Sequence, residues 1–177
     1  MSAVEERIAL AKRIYATYGS KLLEDEVVRN LLRKLDSAID ATRKFMVEIG
    51  LVELCRECAM EGKCCCRKWV ENEYGIDTLL VNLLLGVELP SERVIPNACF
   101  FVGPNGCRLR VREVICVDFL CGKVTETLGH ETVVKLQEIE GEELETGFLL
   151  KERIKELLSK FENESEAQVR EVVQLHS

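Results

Sequence analysis

The feature of this 177-residue sequence that most constrains its fold is the placement of its nine cysteines. None occurs before residue 55 or after residue 121, and three of the nine are consecutive. Cysteines confined to one segment predict cross-links, through bound metal or disulfides, that hold a region with little regular structure of its own. In chain order the nine are Cys55, Cys58, Cys64, Cys65, Cys66, Cys99, Cys107, Cys116 and Cys121.

The sequence on either side of the cysteines has helical periodicity and predicts a mainly α fold, a helical scaffold around a loop-rich cysteine-cluster core. We expect a helical hairpin over residues 1–54, a metal-binding region over 55–123 and C-terminal helices over 124–177, all in one compact domain. The apolar stripe that predicts the second helix is Leu23, Val27, Leu31, Leu35, Ala38, Thr42, Phe45 and Ile49.

Glycines and side-chain patterns set further expectations. The apolar run from Ile76 to Leu85 predicts a buried helix, and Gly141 predicts a break between two C-terminal helices. The acidic run Glu138–Glu145 is typical of a solvent-exposed helix face. Trp69 and Tyr74 lie beside the first cysteines and are expected to pack in a small core.

Charge and hydropathy exclude several classes of partner. The net charge of −7 argues against nucleic-acid binding and against anionic membranes. No run of 18 apolar residues exists, and early glutamates make the N-terminus unlike a signal peptide. We therefore expect a cytoplasmic protein, for which a protein or redox partner is conceivable and the oligomeric state is open.

The cysteine spacing favours metal ligation in such a compartment. A C-x2-C pair, Cys55 and Cys58, is the commonest signature of thiolate metal sites, and cytosolic proteins seldom keep disulfides. Segments 55–68 and 99–123 each carry a net charge of +2, which stabilises the thiolate form that binds metal. Of the two histidines, His130 is expected at an exposed helix start, and His176 is the other candidate ligand.

Zinc and iron–sulfur clusters both take four cysteines per site, so spacing alone does not choose between them. Eight thiolates in basic surroundings suit the anionic iron–sulfur clusters, with the four-iron, four-sulfur type as the expected form. A disulfide-stapled helical interaction module is the alternative without metal. High glutamate and low glutamine content, a bias of thermophile proteins, keeps that alternative open.

Five short motifs give the cysteine segment a family resemblance. They are Cys55-x2-Cys58, Gly62–Cys65 (GKCC), Cys99–Val102 (CFFV), Asn105–Leu109 (NGCRL) and Arg112-x3-Cys116-x2-Phe119-x-Cys121. Together they resemble the YkgJ-type cysteine-cluster family, a zinc- or iron-chelating domain related to one in flagellin lysine N-methylase. The sequence differs from the family pattern at Phe100 and Glu113, where the family has proline.

The resemblance implies a chelating set of eight cysteines. Its GKCC motif takes Cys64 and Cys65 as the ligand pair and leaves Cys66 as the ninth cysteine. It also implies an iron–sulfur-dependent enzyme, of an electron-transfer or protein-methylation type, as an alternative to a metal-binding protein without catalysis.

Overall fold

The computed structural model describes residues 2–61 and 63–175, with side chains as far as residue 163, and this part of the chain is mainly α, as predicted. It contains a 3-10 turn, Lys68–Asn72, and a short antiparallel hairpin of β1 (Val102–Gly103) and β2 (Gly106–Cys107). Its helices are α1 (Ala3–Glu24), α2 (Glu26–Glu48), α3 (Leu51–Met60), α4 (Ile76–Leu84), α5 (Val114–Asp118), α6 (Gly122–Leu128) and α7 (His130–Leu175).

Asp25 forms the junction between the first two helices. Its carboxylate accepts the backbone N–H of Val28 at 2.9 Å and so caps α2. The same carboxylate accepts a hydrogen bond from Arg153 Nη2 on α7 at 2.7 Å. One residue therefore turns the chain, starts a helix and ties that helix to a distant one.

Helices α2 and α7 pack antiparallel along most of α2. Asp25 meets Arg153 at one end of the pair, and the Lys135 ammonium lies 5.1 Å from the Phe45 ring at the other. The buried face of α2 starts at Val28, whereas the predicted stripe included Val27, which is exposed. Their shared core continues onto α1 and α4 and includes Leu22, Leu35, Ile39, Leu80, Leu150 and Ile154.

The predicted break at Gly141 is wrong, because α7 runs through it without interruption. Glycine inside a helix costs about 1 kcal/mol relative to alanine. Leu136 and Leu150 are fully buried on either side of Gly141, and their burial contributes more than that cost. No described helix combines the length and the apolar content that a bilayer crossing requires.

A second core holds the cysteine-rich loops against α1 and α4. The rings of Tyr74 and Phe101 lie 4.6 Å apart at its centre, with Leu79 and Cys99 buried beside them. Asn82 of α4, fully buried, secures the loop above this core by accepting the backbone N–H groups of residues 110 and 111 and donating to the Val111 carbonyl. These contacts fix the loop between Cys107 and Cys116.

Candidate thiolate metal centres

Cys55 and Cys58 lie on helix α3, so the expectation of a loop-rich segment is wrong at these two cysteines. The segment Leu51–Met60 contains no glycine or proline and is rich in good helix formers, which explains the helix. Residues three apart on a helix share a face, so both thiols point to the same side of α3. The helix also crosses the expected boundary between residues 54 and 55.

A first set of thiols, called group 1, gathers beside this face of α3. The pKa of the Cys65 thiol is raised to about 11, first by burial and then by the charge of Cys121 and a hydrogen bond with it. Burial likewise raises the pKa of Cys55, followed by the charges of Cys121 and Cys58. These thiols therefore act on one another's charge, although no three of them converge closely enough to hold an ion. Group 1 consists of Cys55, Cys58, Cys65 and Cys121.

A second set, group 2, lies against the core around Phe101. The pKa of the Cys66 thiol is raised to about 12, first by burial, although the residue as a whole is exposed, and then by the charges of Cys64, Cys107, Cys116 and Cys99. The pKa of Cys99 is raised to about 11, again first by burial. The backbone N–H of Cys99 donates to the Cys66 carbonyl at 2.9 Å. Group 2 consists of Cys66, Cys99, Cys107 and Cys116.

The two groups rest on different apolar clusters. Cys99, Cys107 and Cys116 pack on the core that contains Phe101. Cys121 packs instead on a small cluster around Leu51, Val124 and Leu136, where α3, α6 and α7 meet. The fold therefore separates Cys121 from Cys99, Cys107 and Cys116.

The hydroxyl of Tyr74 contacts two thiols of group 2. Its hydroxyl donates to Cys116 Sγ at 3.6 Å and lies 4.0 Å from Cys107 Sγ. Burial raises the pKa of Tyr74, and the charges of Cys107 and Cys116 raise it further, so the hydroxyl keeps its proton and remains a donor. The predicted core role of Tyr74 is confirmed, but Trp69 is 53% exposed.

Cys64 is the thiol that belongs to neither set of four. Its charge contributes to the raised pKa of Cys66 in group 2 and, more weakly ranked, to that of Cys55 in group 1. The resemblance implied Cys66 as the ninth cysteine. Cys64 is a second candidate for that place, because Cys107, Cys116 and Cys99 also act on the Cys66 thiol.

Two cations serve the thiols directly. Arg112 lowers the pKa of both Cys55 and Cys116, against the stronger effect of burial, and donates to the Cys116 carbonyl at 3.3 Å. The Lys123 ammonium lies beside the Cys58 thiol, whose charge is the first cause of the raised pKa of Lys123. Arg110 is committed elsewhere, because it pairs with the carboxylates of Asp36 and Asp40 on α2.

Buried carboxylates of α7 lie near Arg112. Glu140 and Glu143 of α7 are 1% and 3% exposed, so the predicted solvent-exposed acidic face is wrong at these two positions. Burial raises the pKa of Glu140 to about 7, although Arg112 opposes the shift. Among the described residues, Arg112 Nε and Nη2, Glu140 Oε2 and both Glu143 carboxylate oxygens have no hydrogen-bond partner.

The cysteine thiols are chemically suitable ligands for a metal, but their sulfurs do not converge on one point. All nine cysteines are free thiols, with no disulfide. Within residues 2–61 and 63–175, no three His, Cys, Asp or Glu side chains converge closely enough to hold an ion. A bound metal would remove the repulsion between the thiolates of each group, but those thiols would have to move closer together. His130 is exposed at the start of α7, and His176 lies outside the described residues.

The two departures from the family pattern have local reasons. The Phe100 backbone N–H donates to Glu71 Oε2 at 2.9 Å, a bond that proline could not form. The Glu113 carboxylate accepts the Gly75 backbone N–H at 3.1 Å and bonds the Thr78 hydroxyl, which fastens the loop to the start of α4.

Comparison with known proteins identified no relative of this chain. No protein-family model, curated protein or solved structure matches the chain.

Proposed function

We propose that this protein binds metal through eight of its nine cysteines, as two neighbouring four-thiolate centres. Group 1 provides centre 1 and group 2 provides centre 2, with Cys64 as the ninth cysteine. The observation that carries the proposal is the separation of eight thiols, drawn from distant parts of the chain, into two sets of four. Within each set, burial and neighbouring thiols raise the pKa of several members.

The raised pKa values support metal rather than free thiols as the working state. Groups that repel one another when ionised carry a cost that a shared cation removes, and metal binding then displaces the thiol protons. Arg112 and Lys123 offset part of the negative charge that four thiolates bring to each centre. Neither cation would strengthen a disulfide.

We favour iron–sulfur clusters, of the four-iron, four-sulfur type, over zinc. Four thiolates leave a zinc site with a net charge of −2, and an iron–sulfur cluster is likewise anionic, so both benefit from nearby cations. The iron–sulfur preference rests on the closeness of the centres, because Cys65 and Cys66 are consecutive and their Cα atoms are only about 3.8 Å apart. Two redox groups at such a separation suit electron exchange, whereas two structural zinc ions gain nothing from it.

Because the two centres are so close, we propose electron transfer with a redox partner, rather than protein methylation, as the activity of the protein. A reducing compartment such as the cytoplasm keeps nine thiols available for metal. Zinc remains the second candidate, since four-cysteine zinc sites are structural and would hold the loops of residues 63–121 together.

Metal and acid-labile sulfide analysis of the anaerobically purified chain tests the proposal. We expect about eight iron and eight sulfide per chain, with a brown colour that bleaches in air. About two zinc ions per chain with no sulfide would still support two four-thiolate centres, with zinc bound in place of the iron–sulfur clusters. Less than half an equivalent of any transition metal, also after anaerobic reconstitution, would overturn the proposed function.

A further inference from the structure

A cleft of about 650 Å³ opens where the start of α1 faces the 3-10 turn that follows the cysteine triplet. Arg67, Lys68 and Trp69 form one wall, and Asn72 and Asn97 contribute amides. The cleft is shallow and open to solvent, so a ligand would lie along this wall rather than be enclosed. None of these residues belongs to either group of thiols.

The cleft is positively charged in a protein that is acidic overall. Arg67 and Lys68 are exposed, and neither forms an ion pair with a carboxylate in the part of the chain that the structure describes. Glu71, which also lines the cleft, has its carboxylate occupied by Arg93 Nη2 at 2.7 Å and by the Phe100 N–H at 2.9 Å. The charge that the cleft offers to a ligand is therefore cationic.

Trp69 gives the cleft a large aromatic surface. It is the sole tryptophan of the chain and is 53% exposed, while the next residue, Val70, is buried. An exposed indole beside two cations suits a planar ring that stacks on it, because aromatic stacking tolerates many ring types and the cations fix an attached anionic group. Arginine is especially suited to phosphate, which it binds through two parallel hydrogen bonds.

The cleft shares a backbone with group 2. Arg67 forms an isolated antiparallel bridge with Ala98, and the residues next to these, Cys66 and Cys99, are joined by a backbone hydrogen bond of 2.9 Å. Arg67 and Cys66 thus lie on one short, paired segment. A ligand held by Arg67 would sit next to the segment that carries two thiols of group 2.

We propose that this cleft binds a phosphorylated planar-ring compound of the nucleotide class. The phosphate lies on Arg67 and Lys68, the ring stacks on Trp69, and the Asn72 and Asn97 amides face its polar edge. This site does not depend on the metal bound by the thiols. It gives the protein a small-molecule site beside its cysteine segment.

The single tryptophan makes the test direct. The full chain, as purified, is titrated with ADP, and Trp69 emission is followed with excitation at the red edge, where adenine does not absorb. Adenosine and pyrophosphate are titrated separately as the ring and the anion alone. We expect a saturable change with ADP and at least tenfold weaker binding of each fragment, since the site needs both parts.

Paired charge variants separate the cleft from general electrostatics. Arg67→Gln with Lys68→Gln should weaken ADP binding at least tenfold. Arg33→Gln with Lys34→Gln removes an equally adjacent, exposed Arg–Lys pair on α2 and should leave binding unchanged. Trp69→Leu, followed by calorimetry, should weaken ADP while leaving the weak pyrophosphate binding as it was. Absence of a saturable response at millimolar ADP, or an equal loss in both double variants, would overturn the proposal.

Discussion

Cys65 and Cys66 are neighbours in the chain, yet their thiols belong to different groups. The charges of Cys121, Cys55 and Cys58 raise the pKa of Cys65, whereas those of Cys64, Cys107, Cys116 and Cys99 raise the pKa of Cys66. The chain turns tightly here, because Cys65 is at a bend and the Arg67 backbone N–H donates to the Cys65 carbonyl at 2.7 Å, so consecutive side chains can point to different sites. The cysteine triplet is therefore the point at which the two groups meet.

The hydroxyl of Tyr74 should tighten metal binding at centre 2. Tyr74→Phe removes the donor to Cys116 Sγ and keeps the ring that packs on Phe101. That hydrogen bond lowers the pKa of Cys116, so its loss disfavours the thiolate. We expect metal at one centre to be lost to a chelator about tenfold faster, as for other groups that orient metal ligands.

Tyr18→Phe is the matched control for that experiment. Tyr18 stacks on Phe161, away from both groups, with ring centroids 5.7 Å apart. The Tyr18→Phe variant should lose metal to the chelator at the same rate as the unmodified protein. If Tyr74→Phe also matches the unmodified protein, the hydroxyl has no part in holding the metal.

Burial of Glu140 should make stability depend on pH. Its folded-state pKa is raised from 4.5 to about 7, so its protonated form is favoured by folding. This contribution is complete below about pH 4.5 and is lost as the pH rises through 7. We expect Glu140→Gln to unfold like the unmodified protein at pH 4 and to be more stable by roughly 1–3 kcal/mol at pH 8.

Urea unfolding at a series of pH values measures this difference. Glu142→Gln serves as the control, because Glu142 is an exposed neighbour that pairs with Lys34 at 3.6 Å. Its stability should run parallel to that of the unmodified chain. A Glu140→Gln curve that is also parallel would mean that Glu140 is as well solvated when folded as when unfolded.

Asn82 should be a large contributor to stability and to the position of the group 2 loop. Its side chain makes four hydrogen bonds to backbone groups while fully buried. Asn82→Ala leaves those groups without partners and should lower the free energy of unfolding by about 3 kcal/mol. Asn30→Ala, at an exposed position on α2, should change it by less than about 0.5 kcal/mol in the same urea titration.

Thiol titration separates metal binding from disulfide stapling. After metal removal in anaerobic denaturant, we expect all nine thiols to react with a disulfide reagent, because each cysteine is free in the structure. Four bridges would leave one reactive thiol and would support the disulfide-stapled interaction module instead. Prior reduction and repurification in air provides the control for oxidation during handling.

Sequence periodicity was enough to predict the helical scaffold, because the apolar stripe of α2 is long and regular and α4 is a continuous apolar run. It failed at Gly141, where packing of α7 on α2 outweighs a local preference. It also failed at Glu140 and Glu143, since a glutamate that faces a covering loop looks the same in sequence as one that faces water. The signal for α3 was present in its helix-forming residues but was overridden by the C-x2-C spacing.

The cysteine set was readable from the sequence, but its division was not. Cys99, Cys107 and Cys116 meet only because the hairpin and α5 fold onto Tyr74. Cys121 is only five residues beyond Cys116, yet it caps α6 and packs on another cluster. Tertiary placement, rather than spacing, separates them.

Metal content of a serine series through the triplet tests the central claim most directly. Cys65→Ser and Cys66→Ser should each lose about half of the metal, because each removes a ligand from a different centre. Cys64→Ser should keep both centres, and a Cys65→Ser, Cys66→Ser double variant should keep neither. Loss of metal from Cys64→Ser equal to that from Cys65→Ser, or full retention in Cys66→Ser, would contradict the assignment of two four-thiolate centres with Cys64 outside them.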